Sequence, residues 1–318
     1  MKYQWKNNKK FAFTIIDDTD GAAIEKIQPV YDCLYQNGII TTKTVWMKPP
    51  RDYFPGDSME HAAYRDYVLQ LQRQGYEIAF HDIGSGAFTG EEIRSALEDF
   101  RQLFGSYPKI HINHGDNPSS IYWCGKRFSP VLARAYDFYK KKQGMYVQSQ
   151  GEVSGSPAFW GEDCKKHVKY IRNRVFGELN LLKCDPYTPY RERSKEKYSN
   201  YWFSSSDGMT ADLFVKLLSP KNIDRLVREG GCAIVYTHFG YGFTDQNGSL
   251  RKDVQDAIKY LSSKDGWFAP ASEILDWMLE SKRGNETISS LQSMLLDARW
   301  IAGRAVRRLR DNVSMQEM

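Results

Sequence analysis

The sequence predicts an α/β fold closed into a barrel, and three observations predict it. Strand-like runs alternate with helical ones in steps of roughly thirty to forty residues, the rhythm of parallel β-α-β units. The helical runs each end in glycine, which accepts the left-handed backbone of a helix stop. Titratable residues gather at the C-terminal ends of four strand candidates, the place where barrels assemble their sites.

The first strand, FAFTII (11–16), runs straight into DDTDG, so that Asp17, Asp18 and Asp20 fall within four positions and Gly21 closes the stretch. Carboxylates so close repel one another unless a cation, a proton or exposure relieves them, and a site is expected there. AAIEKIQPVYDCLYQNG (22–38) then has helical spacing of apolar residues, and ITTKTVWM (40–47) reads as a strand in which Lys43 alternates with Thr41 and Val45 and points inward. HAAYRDYVLQLQRQG (61–75) is the next helix, YEIAFH (76–81) the next strand, ending on His81 and Asp82. GEEIRSALEDFRQLFG (90–105) follows, with Thr89 as N-cap and Glu91 and Glu92 in the first turn. KIHINH (109–114) ends at His114, and CAIVYTH (232–238) at His238. Between them the segment 119–231 reads as long loops bearing aromatics. The C-terminal 283–318 reads as a basic amphipathic helical tail, with an apolar stripe of Trp300, Ile301 and Val306, appended to a unit spanning 1–282. Such a helix offers a peripheral contact with an anionic membrane.

Composition excludes several classes. The formal charge of +5 is too mild, and too concentrated at the C-terminus, for a nucleic-acid binder. GSGAFTG lacks the spacing of a phosphate-binding loop. The five cysteines are odd in number and never form a CxxC pair, which points to reduced thiols and a cytoplasmic protein. No run approaches the apolar length of a membrane span.

Taken singly, each strand-end histidine reads as a hydrogen-bonded structural residue. Three of them with an acid cluster point instead to a metal: imidazole and carboxylate donors suit zinc, iron, cobalt or manganese, and such an ion acidifies water and polarises a carbonyl. His61, His111 and His167 are read as structural, and Arg191 and Arg193 as a solvated charge run.

The strings FTIIDDTDG, GYEIAFHDIGSGAFTGEEI, YPKIHINHGDN, AIVYTHFGYGF and GWFAPASEILDW, in this order, resemble the polysaccharide deacetylase superfamily over roughly residues 10–280. The resemblance implies a distorted (β/α)7-type barrel whose members use a divalent ion, zinc first and cobalt, manganese, iron or nickel as alternatives, to remove acyl groups from amino sugars. By match, Asp17 would be the catalytic base, Asp18 and His81 metal ligands, and His238 the acid that protonates the leaving amine. The family's second metal histidine falls on Ser85, and His114 is expected to take that role. Asp20, Lys43, Asn113 and Asp116 are then expected to contact substrate, with Trp160 and Trp202 as candidate sugar-stacking platforms, although an aromatic is more often core packing. FTxxDDTD with TTKTVW and NHG further resembles a subset associated with surface-polysaccharide and O-antigen biosynthesis. That implies an acylated amino sugar on a nucleotide-linked or lipid-linked glycan. A catalytically silent relative that binds a glycan or a partner is the second reading, motivated by Ser85.

Overall fold

The computed structural model describes residues 3–311 apart from Asp116, Met145 and Arg283. Strands β1 (Phe11–Asp17), β2 (Thr42–Val45), β3 (Glu77–Phe80), β4 (Ile110–His111) and β5 (Tyr170–Phe176) are followed by the short β6 (Arg191–Glu192), then β7 (Tyr201–Asp207), β8 (Cys232–Thr237), β9 (Gly266–Phe268) and the short β10 (Thr287–Ile288). Seven of them pair in parallel in the order β2-β3-β4-β5-β7-β8-β1, and β1 pairs back onto β2 through Ile16 and Asp17, which closes the barrel. β9 lies along the start of β1, opposite Phe11, Ala12 and Phe13, and β6 and β10 make a separate two-stranded ladder.

The helices are α1 (Ile24–Gln36), α2 (Ala62–Arg73), α3 (Gly90–Phe104), α4 (Pro130–Lys142), α5 (Gly161–His167), α6 (Leu181–Cys184), α7 (Ala211–Leu217), α8 (Pro220–Glu229), α9 (Lys252–Ser262), α10 (Ala271–Glu280) and α11 (Ser290–Asp311). Local chemistry sets their ends. Thr89 accepts from Glu92 N, and the Glu92 carboxylate accepts from Thr89 N, a reciprocal cap worth about 1 kcal/mol. Gly105 stops the same helix at φ 83°.

Period-two alternation along β1 divides two cores. Phe11, Phe13 and Ile15 pack into the helix-facing cluster, whereas Ala12 and Ile16 pack inside the barrel with Ile110, Tyr170, Phe203 and Ile234. Continuing the parity sends Asp17 outward toward α1 and leaves Asp18, just past the strand, to turn over the barrel mouth.

The middle of the chain departs from expectation. Residues 119–231 contain two barrel strands, β5 and β7, and five helices. Their sequences, YIRNRVF and YWFSSSD, break any apolar run because buried polar residues fall on both faces, Arg172, Asn173 and Arg174 in one and Ser204 to Ser206 in the other. The fourth strand is shorter than expected: only Ile110 and His111 are laddered, and His114 sits in the loop beyond. The C-terminal helix packs onto β5 rather than standing apart. Asp297, buried, receives Arg174 Nε at 3.1 Å, and Leu296 is fully buried. Trp300 turns inward onto Phe128, with ring centroids 4.9 Å apart, so it is not part of the outward stripe, which Leu291, Met294, Leu295, Ile301 and Val306 form. Among the described residues no helix is long and apolar enough to cross a membrane, and the five cysteines are all free.

Candidate active site

The barrel mouth opens into a cavity of about 520 Å³ lined by Asp18, Asp20, His81, His114, Arg172 and His238, among others. Gly21 permits the acid-bearing turn: at φ 70° a side chain would be strained, and a Cβ there would stand 2.5 Å from the Tyr241 ring.

Asp20 is the hub. Its Oδ2 is 2.9 Å from His81 Nε2, its Oδ1 is 2.9 Å from His114 Nε2, and His238 Nε2 approaches Oδ2 at 3.6 Å. Burial disfavours the Asp20 carboxylate, but the surrounding imidazoles outweigh it and hold the group well below the usual carboxylate range. Burial likewise pulls His81 down, yet Asp18 and Asp20 overcome it and push the imidazole up to about 9.

The ring orientations follow from backbone acceptors. His81 Nδ1 donates to the Ile112 carbonyl at 3.0 Å, so the lone pair of the neutral ring lies on Nε2, aimed at Asp20. His238 Nδ1 donates to the Met209 carbonyl at 3.2 Å and its Nε2 likewise faces the cavity. His114 is held by its loop: Asp82 Oδ2 accepts from His114 N, Asn117 Nδ2 and Ser120 Oγ, with Asp82 itself at φ 45°. Asp82 gave no sequence signal beyond its place after a strand-end histidine.

The ligand atoms of Asp20, His81 and His114 lie within 4.8 Å of one another, and so do those of Asp18, Asp20 and His238. Two imidazole lone pairs facing one carboxylate is a donor set that fits a divalent transition ion. The first set fits better, because Asp18 is already engaged by Arg172, whose Nη1 donates to Oδ1 at 2.9 Å while Nη2 donates to Oδ2. Arg172 was missed in the sequence. The available signal was an arginine alternating with aliphatic residues in YIRNRV, since an inward arginine requires an acid partner.

Several expected residues sit elsewhere. Asp17, expected as the base, lies outside the cavity: Lys43 Nζ is 2.9 Å from its Oδ2, Tyr31 OH donates to Oδ2 at 2.9 Å, and Phe239 N donates to Oδ1 at 2.8 Å. Strand parity sends it there, and Lys43, opposite it in β2, follows to the same side rather than contacting the cavity. Asn113 lines the cavity, but its amide is spent on the Ile121 backbone and on His111. Trp160 and Trp202 are fully buried and bond to Ser119 O and Ser199 Oγ, so they are core residues rather than sugar platforms. Ser85 is buried and donates to Asp52 Oδ2 at 2.7 Å, with His114 Nε2 3.4 Å away. Asp116 lies outside the described residues. Phe54, Trp123, Tyr136, Tyr236 and Tyr241 are the aromatics that do line the cavity.

No protein-family model and no curated protein matches the chain. Among solved structures, a putative polysaccharide deacetylase from Mycobacterium smegmatis superposes with a TM-score of 0.51 at 11% identity, covering 91% of this chain and 96% of that one. The chitin deacetylase of Colletotrichum lindemuthianum aligns with a TM-score of 0.39 at 16% identity, over 84% of this chain and 88% of its own. A family 4 acetyl xylan esterase from Clostridium thermocellum, in complex with a cobalt ion, aligns with a TM-score of 0.41 at 12% identity, over 85% and 92%. The first likeness agrees with the closed seven-stranded (β/α) barrel described above.

Proposed function

We propose that the chain is a metal-dependent amidohydrolase that removes an acyl group, acetyl in the first instance, from an amino sugar used in cell-surface glycan synthesis. The observation that carries this reading is Asp20 clasped between His81 and His114, with Asp18 and His238 beside it in one cavity. Asp20, His81 and His114 would hold the ion, zinc by preference. When bound, such an ion polarises a carbonyl and acidifies water.

The chain's own groups account for the proton movements. Asp18 accepts the proton of the attacking water, since a carboxylate oxygen retains a free lone pair after bonding to Arg172. Arg172 fixes its orientation by the bidentate fork and compensates the second acid in a confined site. As water oxygen adds to the acyl carbon and the C–N bond breaks, the imidazolium form of His238 delivers its Nε2 proton to the departing nitrogen, and the proton taken by Asp18 replaces it at the end of the cycle. Amide and water thus give free amine and carboxylic acid. Asp17 has no part in this scheme.

The test is release of acetate from N-acetylated amino-sugar conjugates by protein reconstituted with zinc or cobalt. Asp18→Asn is expected to retain stoichiometric ion and lose about 10³-fold or more of kcat, within the range of removing a general base. His81→Ala is expected to lose the ion. Wild-type turnover by Asp18→Asn, or no bound ion after reconstitution, would sink the assignment and favour the silent binding protein.

A further inference from the structure

We propose that one wall of the same cavity is a phosphoryl subsite built from Arg127, Lys140 and Arg304, so that the sugar arrives joined to a phosphate or diphosphate. What occupies the rest of the cavity rests on the amidohydrolase reading; the subsite itself stands on separate observations.

Arg127 ends the short turn Cys124–Arg127, lines the cavity and is only 8% exposed. Among the described residues no carboxylate lies within ion-pair distance of it, and its Nε has no hydrogen-bond partner. A buried guanidinium ordinarily pairs with an acid. Its neighbours here are rings instead: Trp123 and Phe128 at 4.5 Å, Trp300 at 5.1 Å and Tyr136 at 5.8 Å. Ring faces attract the charge but accept none of its in-plane N–H donors.

Two more cations join it on the cavity wall, Lys140 of α4 and Arg304 of α11. Arg304 has Asp207 at 3.8 Å, which offsets one charge of the three. Burial and the nearby Arg304 and Arg174, partly opposed by Tyr136, draw the Arg127 guanidinium down to about 10. The buried Arg127 guanidinium beside two further cations costs stability that a multivalent anion removes, and a phosphoryl group offers the oxygens for a guanidinium fork and an ammonium together.

The experiment titrates inorganic pyrophosphate into the full chain calorimetrically, for wild type, Arg127→Gln and Lys140→Gln. Binding is expected, weakened tenfold or more by Arg127→Gln and about threefold by Lys140→Gln, a variant on a helix with no buried residues. In parallel, the ratio of kcat/KM for a diphosphate-linked N-acetyl sugar over its phosphate-free counterpart should fall at least tenfold in Arg127→Gln. No pyrophosphate binding by the wild type, or undiminished binding in both variants, overturns the subsite. Competition by uridine diphosphate or by a short polyprenyl phosphate identifies a nucleotide or lipid carrier and supports it; competition by neither overturns it. Pyrophosphate binding that depends on Arg127 without any amide hydrolysis would uphold the subsite while removing the catalytic reading.

Discussion

Adjacent aspartates in one turn occupy opposite environments, and the division is decided by strand parity. Asp17 completes the outward row Phe13, Ile15, Asp17 and meets the buried Lys43, while Asp18 follows the last laddered residue and turns over the mouth to Arg172. Burial draws the Lys43 amine down, but Asp17 beside it outweighs that and holds it above its usual value. Removing the acid strands a cation with no water around it. Asp17→Asn is therefore expected to cost about 3–5 kcal/mol of stability by urea unfolding while leaving the bound ion in place. Its partner Lys43→Met should recover much of that loss in the double variant, because an apolar side chain of similar volume removes the stranded charge. Failure of the second substitution to rescue the first would show that Asp17 is held for a reason other than this pair.

At the scale of elements, one buried carboxylate of α11 joins it to both β5 and the start of α4. Asp297 receives Arg174 through Nε at 3.1 Å and Nη2 at 2.5 Å, and its other oxygen accepts Ser129 N at 2.8 Å just before α4. Asp297→Ala leaves Arg174, fully buried, beside Tyr190 and a more distant Glu192, and is expected to cost about 3–5 kcal/mol in urea unfolding. It should also loosen the α4 segment that carries Tyr136 and Lys140, visible as faster hydrogen exchange there. This same buried charge explains why part of the architecture escaped the sequence. β1, β3 and β8 were legible because their apolar runs end in titratable residues, β2 because of its alternation around Lys43, and α3 because of its cap. β5 and β7 were not, since Arg172, Arg174, Ser204 and Ser206 spend their polarity on partners contributed by other segments, Asp18, Asp297, Asp185 and the Leu179 carbonyl. Pattern rules assume buried strands are apolar, and here the pairing that licenses the exception is invisible until the chain is folded. The site was legible to the same degree: Asp20, His81, His114 and His238 were selected by position, but the roles within DDTD turn on which face each acid takes.

For the whole molecule, the hub couples proton, ion and stability. Asp18 and Asp20 push the His81 imidazole up to about 9 from an ordinary value near 6.5, so its pairing with these acids stabilises the fold fully below pH ~6.5 and is lost as pH rises through about 9. Asp20 is shifted the other way, so its contribution is present above the ordinary carboxylate value and disappears only in strong acid. Between these limits the metal-free barrel should lose at most about 3 kcal/mol on going from pH 6.5 to 9. An ion competes for the same Nε2, so its binding displaces the proton and strengthens over that same window. Stabilisation by a ligand follows its affinity, and the zinc-loaded protein should therefore hold or raise its Tm while the chelator-treated protein falls. Thermal unfolding of both forms at pH 6.5, 7.5 and 8.5 should give curves that diverge, and His81→Gln should bring them together by removing both the titration and a ligand. Parallel curves across the window would mean that His81 and Asp20 are not linked through a shared proton, and the ion would have to be sought in the second set, Asp18, Asp20 and His238.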